Sequence, residues 1–257
     1  MPSNPNKAAT STQRALAVLD CFSSDTRALT LSEIARRLNQ PVSSTHRQIG
    51  ELVRWGALER HDDRRYRIGL HLWEVGSLAS RSTSLREASL PFLGDLYEVT
   101  HESAQVAVLD DGEVVYVEHI FGHNATRIIA RPGARLSVHA TGVGRVLLAH
   151  APTEQVNEIL RFPLKRYTEF TVVDPAELRR ELAKIKRTGY AISDRQFELV
   201  STSVAAPIRG PGNTVVAALS LIVPFRSSTA RRYVPAVLAA AQGVSRALGA
   251  GTARHEV

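Results

Sequence analysis

The stretch TLSEIARRLNQPVSSTHRQIGELVRWG, residues 30–56, constrains this chain more than any other. Thr30 and Glu33 have the spacing of a capping box, in which the threonine accepts from an amide at the helix start and the glutamate reaches back. Leu31, Ile34, Ala35 and Leu38 then recur at helical spacing until Asn39, Gln40 and Pro41 break the pattern. A second helix follows at once. At about 100° per residue, Val42, Thr45, Ile49, Leu52 and Val53 fall on one side of it, with Ser44, Arg47 and Glu51 opposite and Ser43 and Arg54 beside them. The polar face reads a nucleic acid, holds a substrate or sits in solvent, and these residues alone leave the three open, because short motifs are weak.

The flanks narrow the choice. Upstream, RALAVLDCF repeats Ala15, Val18, Leu19 and Phe22 at helical spacing, with Cys21 as a small core residue. Downstream, Gly56 suits a helix stop, and Leu58, Arg60, Tyr66 and Ile68 alternate around the turn HDDR, which is a hairpin signal. Three helices followed by a hairpin make a winged helix-turn-helix. Arg64 and Arg65 lie near its wing tip, where they suit a phosphate or a solvated turn.

With 257 residues and 44% hydrophobic content, the chain can fill one large or two medium domains. It has no run of roughly 18 apolar residues for a membrane span, and its start, MPSNPNKAATSTQ, lacks the apolar stretch of a signal peptide, so a cytoplasmic protein is expected. Cys21 is the only cysteine, which rules out an internal disulfide and a thiolate metal cluster. The net charge of +7 permits an anionic partner without requiring one; residues 1–83 carry 12 basic and 8 acidic side chains, residues 84–257 carry 20 and 17. Arginine outnumbers lysine 28 to 4 along the whole chain, so arginine abundance does not by itself mark a phosphate site.

Beyond a polar tail (1–10) and the winged helix-turn-helix (11–69), a helical connector is expected over 70–83, then a second domain over 84–250 and a short tail, 251–257. Ser84 and Glu87 have capping-box spacing for a helix to about Val99, with Pro91 kinking or breaking it. AQVAVL, VVYVEHI, TRIIA, TSVAAPI and VVAALSLIV read as strands; HATGVGRVLLA passes from a Gly-rich loop into a helix. Asp174, Pro175 and Glu177 open another helix that Gly189 stops, and a last helix is expected over roughly 228–248. This is an α+β domain on a mostly antiparallel sheet.

Taken together, RALAVLDCF, the stretch from LTLSE to YRIG, LSVHATGVGRVLLA, GYAISD and TSVAAPI followed by VVAALSL resemble the isocitrate lyase regulator (IclR) family of bacterial transcription regulators, over residues 11 to about 250. The resemblance implies a winged helix-turn-helix, a linker helix and a C-terminal effector domain akin to the GAF fold, assembled as a homodimer or homotetramer on a (pseudo)palindromic double-stranded DNA operator, with no membrane partner. A recognition helix of that kind puts its N-terminal residues at base edges. Ser43, Ser44 and Thr45 would then bond phosphates or bases, Arg47 and Gln48 are the candidates for bidentate base contacts, and Ser43 alternatively serves as the helix cap. Thr30 and Ser32, at the preceding helix start, suit a phosphate.

Carried over position by position, the family's effector pocket falls on Gly142, Val143, Ser193, Ser203, Ser220 and Ile222, with Ile128 and Leu136 as apolar walls. A Gly-rich loop entering a helix offers amides to a carboxylate, so a small organic acid is expected. Members that bind very small oxo-acids carry an acidic residue where this chain has Ser193, followed by Asp194, and a second serine where it has Ile222; these departures argue for a larger or more apolar effector such as an aromatic acid. The alternative is a small-molecule enzyme with an added DNA-binding domain. Against it, the chain has no nucleophile elbow, phosphate loop or dinucleotide fingerprint. Glu118, His119 and His123 fall on a strand end and loop, where the spacing of a helical metal site fails. No cofactor, metal or catalytic residue is expected, and His139 reads as structural or as part of the pocket edge.

Overall fold

The computed structural model describes residues 10–251 except residue 24 and segments 123–130 and 226–229. The chain divides into two compact units, Met1–Thr83 and Ser84–Val257. Among the described residues no helix is long and apolar enough to cross a membrane.

In the first unit, α1 (Ser11–Leu19), α2 (Leu31–Leu38) and α3 (Val42–Trp55) precede an antiparallel hairpin of β1 (Leu58–Arg60) and β2 (Tyr66–Ile68). Leu29 adds a bridge to Tyr66 through backbone bonds of 3.0 and 2.7 Å, so the wing is three segments wide. The capping box forms: Thr30 Oγ1 accepts from the Glu33 amide, and Glu33 Oε2 accepts from the Thr30 amide at 2.7 Å. Asn39 and Gly56 end α2 and α3 in the left-handed region that these residue types tolerate. Val18, Leu29, Ile34, Ile49, Leu58 and Tyr66 pack into one core, each contributing about 1.5–3 kcal/mol on burial. A Cβ on Gly69 would stand 2.2 Å from the Gly56 carbonyl oxygen, so only glycine lets the end of β2 pass the end of α3. Then comes α4 (Leu70–Ser77).

The stripe that α3 buries is Thr45, Gln48, Ile49 and Leu52. Apolar periodicity places it differently: Val42 and Val53 are exposed. The buried set has the i, i+3, i+4, i+7 spacing of a helix face and shares Thr45, Ile49 and Leu52 with the expected side; polar Gln48 is the member that residue type misplaces.

The helix expected from residue 84 starts earlier. It is α5 (Ser80–Thr100), and Ser84 lies inside it rather than at its cap. Pro91 is accommodated within α5 without ending it.

The second unit holds a six-stranded sheet of β3 (Ser103–Asp110), β4 (Glu113–Ile120), β5 (Arg135–Ser137), β6 (Ala191–Asp194), β7 (Ser201–Arg209) and β8 (Val215–Pro224). Its order is β5-β4-β3-β8-β7-β6, and every pairing is antiparallel, giving the α+β architecture. Leu85, Leu93 and Leu96 of α5 and Val237, Ala241 and Val244 of α9 (Val234–Ala247) cover one face. The other is covered by α6 (Gly142–His150), α7 (Thr153–Leu160) and α8 (Pro175–Thr188). Not among the expected elements are β5, β6 and α7: the two strands, of three and four residues, are too short to show a period, while α7 carries Val156, Ile159 and Leu160 at helical spacing. The predicted strand TRIIA lies outside the described residues.

Candidate functional site

Two places gather chemistry. The first is the exposed side of α3. Its N-cap is Pro41, with no side chain closing the helix end, so Ser43 is not the cap. The first-turn amides of Val42, Ser43 and Ser44 precede the first intrahelical bond, Thr45 N–H to Pro41 O at 3.1 Å, and such amides suit a phosphate. Ser43, Ser44, His46 and Arg47 are exposed beside them. Arg47 has no hydrogen bond or ion pair among the described residues, whereas Arg54, further along, is paired with Glu51.

Thr45 and Gln48 are not on that side. Thr45 is fully buried, and its hydroxyl donates to Pro41 O at 3.1 Å; Gln48 is 6% exposed, within the packed stripe. Neither presents the free polar edge that a bidentate base contact needs. Thr30 is likewise engaged: its hydroxyl donates to Glu33 Oε2 at 2.9 Å, and the bonds from Thr30 hold the Glu33 carboxyl below its usual range, keeping an anion where a phosphate was expected. Ser32 is exposed. At the wing, Arg64 stands at the tip with φ of 62°, while Arg65 is drawn back to donate to Ala28 O at 3.3 Å.

The second place is the sheet face under α6. Across the strands Ser193 pairs with Ser203, Ser203 with Ile222 and Ile222 with Ser103; in the next row Ala205 pairs with Ser220, Ser220 with Gln105 and Gln105 with His119. Paired residues share a face, and Ala205 and Ala218 place this one toward α6. Thr141 caps α6 by accepting from the Gly144 amide at 3.2 Å, which leaves the Gly142 and Val143 amides at the helix start. A Cβ on Gly142 would lie 2.6 Å from Ser203 Oγ, so the backbone of the helix start sits directly on that serine. Ser220 is fully buried and accepts from Gln105 Nε2 at 3.1 Å. Tyr116, on the same face, is buried; burial pushes its phenol well above the usual range, with Gln105 and Thr141 opposing.

The structure thus brings Gly142, Val143, Ser203, Ser220 and Ile222 to one face. Ser193 joins them, but its hydroxyl is spent on the Ala140 carbonyl at 3.0 Å, holding the loop before α6. Asp194 does not join: one residue further along β6, it points to the opposite face, accepts from Thr202 Oγ1 at 2.8 Å and pairs with Arg195 at 3.2 Å. Leu136 is on the α6 side but pairs with Val114, opposite Leu109 rather than Gln105. There it lines a separate 360 Å³ cavity with His139, Lys165 and Tyr167. Ile128 and His123 lie outside the described residues. Glu118 pairs with Arg86, facing away from its neighbour His119.

Sequence reasoning missed Gln105 and Arg145. Both carry the same signal, a polar residue set in an otherwise apolar element. Arg145 is 1% exposed; it donates to the His139 carbonyl at 2.7 Å and reaches Glu181 and Gln196, tying α6 to α8 and to the loop after β6. Both ring nitrogens of His139 are engaged in hydrogen bonds. Its Nε2 faces the Lys165 carbonyl at 2.9 Å, which can only accept, so Nδ1 accepts from Ser137 Oγ at 2.7 Å. Burial lowers its pKa, which favours this neutral form.

Known proteins match over the same two units. Residues 11–62 match the family model described as the IclR helix-turn-helix domain, and residues 78–246 the one described as bacterial transcriptional regulator IclR C-terminal. The chain is 34% identical to the HTH-type transcriptional regulator BhcR of Paracoccus denitrificans, over 85% of this chain and 79% of that one. It is 31% identical to the transcriptional repressor IclR of Escherichia coli, over 92% and 89%. A crystal structure of an IclR homolog from Microbacterium hydrocarbonoxydans, complexed with 4-hydroxybenzoate, superposes with a TM-score of 0.89 at 38% identity, covering 93% of this chain and 99% of that one.

Proposed function

The chain belongs to the IclR family of bacterial transcriptional regulators, and from that premise we propose that its operator affinity is set by an aromatic carboxylic acid bound beneath α6. The observation that carries this reading is the contact of the α6 start with Ser203. The Gly142 and Val143 amides and the Ser203 hydroxyl suit a carboxylate, while Ser220, one strand away, and Gln105, two strands away, add polar groups in the next row of the same face. Two interstrand spacings come to about 10 Å, a span suited to a substituted ring and too long for a two- or three-carbon oxo-acid. The Microbacterium homolog, which holds 4-hydroxybenzoate, supports the same ligand class.

DNA is read by the exposed side of α3. Ser43, Ser44 and the first-turn amides hold phosphates, Arg47 reaches a base edge, and Ser32 and the wing-tip Arg64 add backbone contacts. A homodimer or homotetramer in the cytoplasm, reading a two-fold related operator, is the assembly that suits a helix-turn-helix. The reading is non-enzymatic: the relatives carry regulator names, and both ring nitrogens of His139 are engaged in structure.

Thermal unfolding of the full-length protein tests the ligand class. At a hundred times its dissociation constant, a ligand stabilises by about 2.7 kcal/mol, so 4-hydroxybenzoate or benzoate should raise Tm by roughly 5–10 °C. Stabilisation by glyoxylate or pyruvate and by neither aromatic acid would contradict the proposal.

A further inference from the structure

Gln105 is 2% exposed, and among the described residues its side-chain oxygen Oε1 is enclosed without a hydrogen-bond partner. Its amide nitrogen is engaged, donating to Ser220 at 3.1 Å and bonding the buried Tyr116 phenol on the same face. Leaving a buried carbonyl oxygen unpaired is costly, and native folds seldom tolerate it without a reason. The residue sits on the sheet face that carries Ser203 and Ser220, paired with His119, whose ring stacks on Phe121 at 4.1 Å between centroids. An acceptor without a donor, beside an aromatic pair and about two strand spacings from the carboxylate-binding end, fits a hydrogen-bond donor carried on the far side of a ring.

We propose that Gln105 is the specificity-determining residue for the effector, accepting a hydrogen bond through Oε1 from a ring hydroxyl or amino group and so selecting donor-bearing aromatic acids over unsubstituted or capped ones. This rests on the aromatic-acid reading above. A site with a buried acceptor rejects analogues lacking the donor far more strongly than an apolar pocket distinguishes a methylene, because the rejected ligand leaves the acceptor unpaired.

The test is calorimetric titration of the full-length protein with 4-hydroxybenzoate, benzoate and 4-methoxybenzoate. The expected result is that 4-hydroxybenzoate binds at least tenfold more tightly than either analogue, and that this ratio falls to near one in Gln105→Met, with Gln105→Leu as the second variant should the first fail to fold. A residue with a merely structural role would weaken all three ligands together and leave the ratio intact, which overturns the assignment. Equal binding of 4-hydroxybenzoate and 4-methoxybenzoate by the unaltered protein also overturns it, while leaving the aromatic-acid reading standing. Binding of none of the three overturns both.

Discussion

Arg47→Ala should lower specific operator affinity about 5–150-fold, the 1–3 kcal/mol that one good bidentate base contact supplies, without moving the unfolding midpoint. The exposed side of α3 offers two arginines, and only Arg47 is uncommitted, Arg54 being held by Glu51. Arg47 lies in the N-terminal half of the helix, the part that reaches base edges when a recognition helix enters a groove. It is exposed and packs against no core, so truncation costs the fold little. The assignment also predicts how the loss is distributed. Affinity for unrelated duplexes should hold nearly constant, and the slope of affinity against salt should change by less than one unit. A uniform loss across all sequences with a shallower slope would reassign Arg47 to the phosphates; unchanged specific affinity would remove it from the interface.

Gly144→Ala should destabilise the second unit by about 3 kcal/mol, at the upper end of what overpacking usually costs, and should abolish the stabilisation conferred by an acid. A Cβ at this position would stand 2.2 Å from the Val138 carbonyl oxygen and 2.6 Å from both Val138 Cα and Thr141 Oγ1. Two of these are backbone atoms of the loop that leads into α6, so no side-chain rotation relieves the clash. The loop and the helix must part, taking the Thr141 cap and the Gly142 and Val143 amides with them. Gly142→Ala meets the Ser203 hydroxyl instead, a small group that can rotate. It should therefore cost less stability than Gly144→Ala while still obstructing the acid. Chemical denaturation of the two variants, with and without 4-hydroxybenzoate, separates the effects. Equal stabilities would show that Gly144 is not needed for the close approach.

Much of this architecture is legible in the sequence because it rests on local chemistry. The Thr30 and Glu33 capping box, the Gly56 stop and the Asp174 cap followed by Pro175 form from residues only a few positions apart. What is not legible depends on partners distant in sequence. The buried side of α3 contains Thr45, as the helical spacing places it, but also Gln48, whose polarity argues for the opposite side until the packing is seen. Asp194 and Ser193 are neighbours in sequence but face opposite sides of β6, a consequence of strand alternation that becomes evident only once the strand itself is recognised. Gln105 finds its partner Ser220 across two strands whose pairing no local pattern reveals. Arg145 has a comparable history: inside an apolar helix it reads as an exception until Glu181 and Gln196 are placed around it.

If the effector binds under α6 as proposed, it should change how tightly the winged helix-turn-helix holds DNA. A ligand can do this only through its differential affinity for two states of the protein, and couplings of this kind typically amount to about 5–150-fold. The most direct measurement is binding of the full-length protein to a duplex selected for specific binding to it, at fixed salt, with and without 4-hydroxybenzoate at a concentration that already raises Tm. The predicted result is a shift in specific affinity within that range, in either direction, which Gly142→Ala abolishes. Superimposable binding curves with and without the acid would contradict the account.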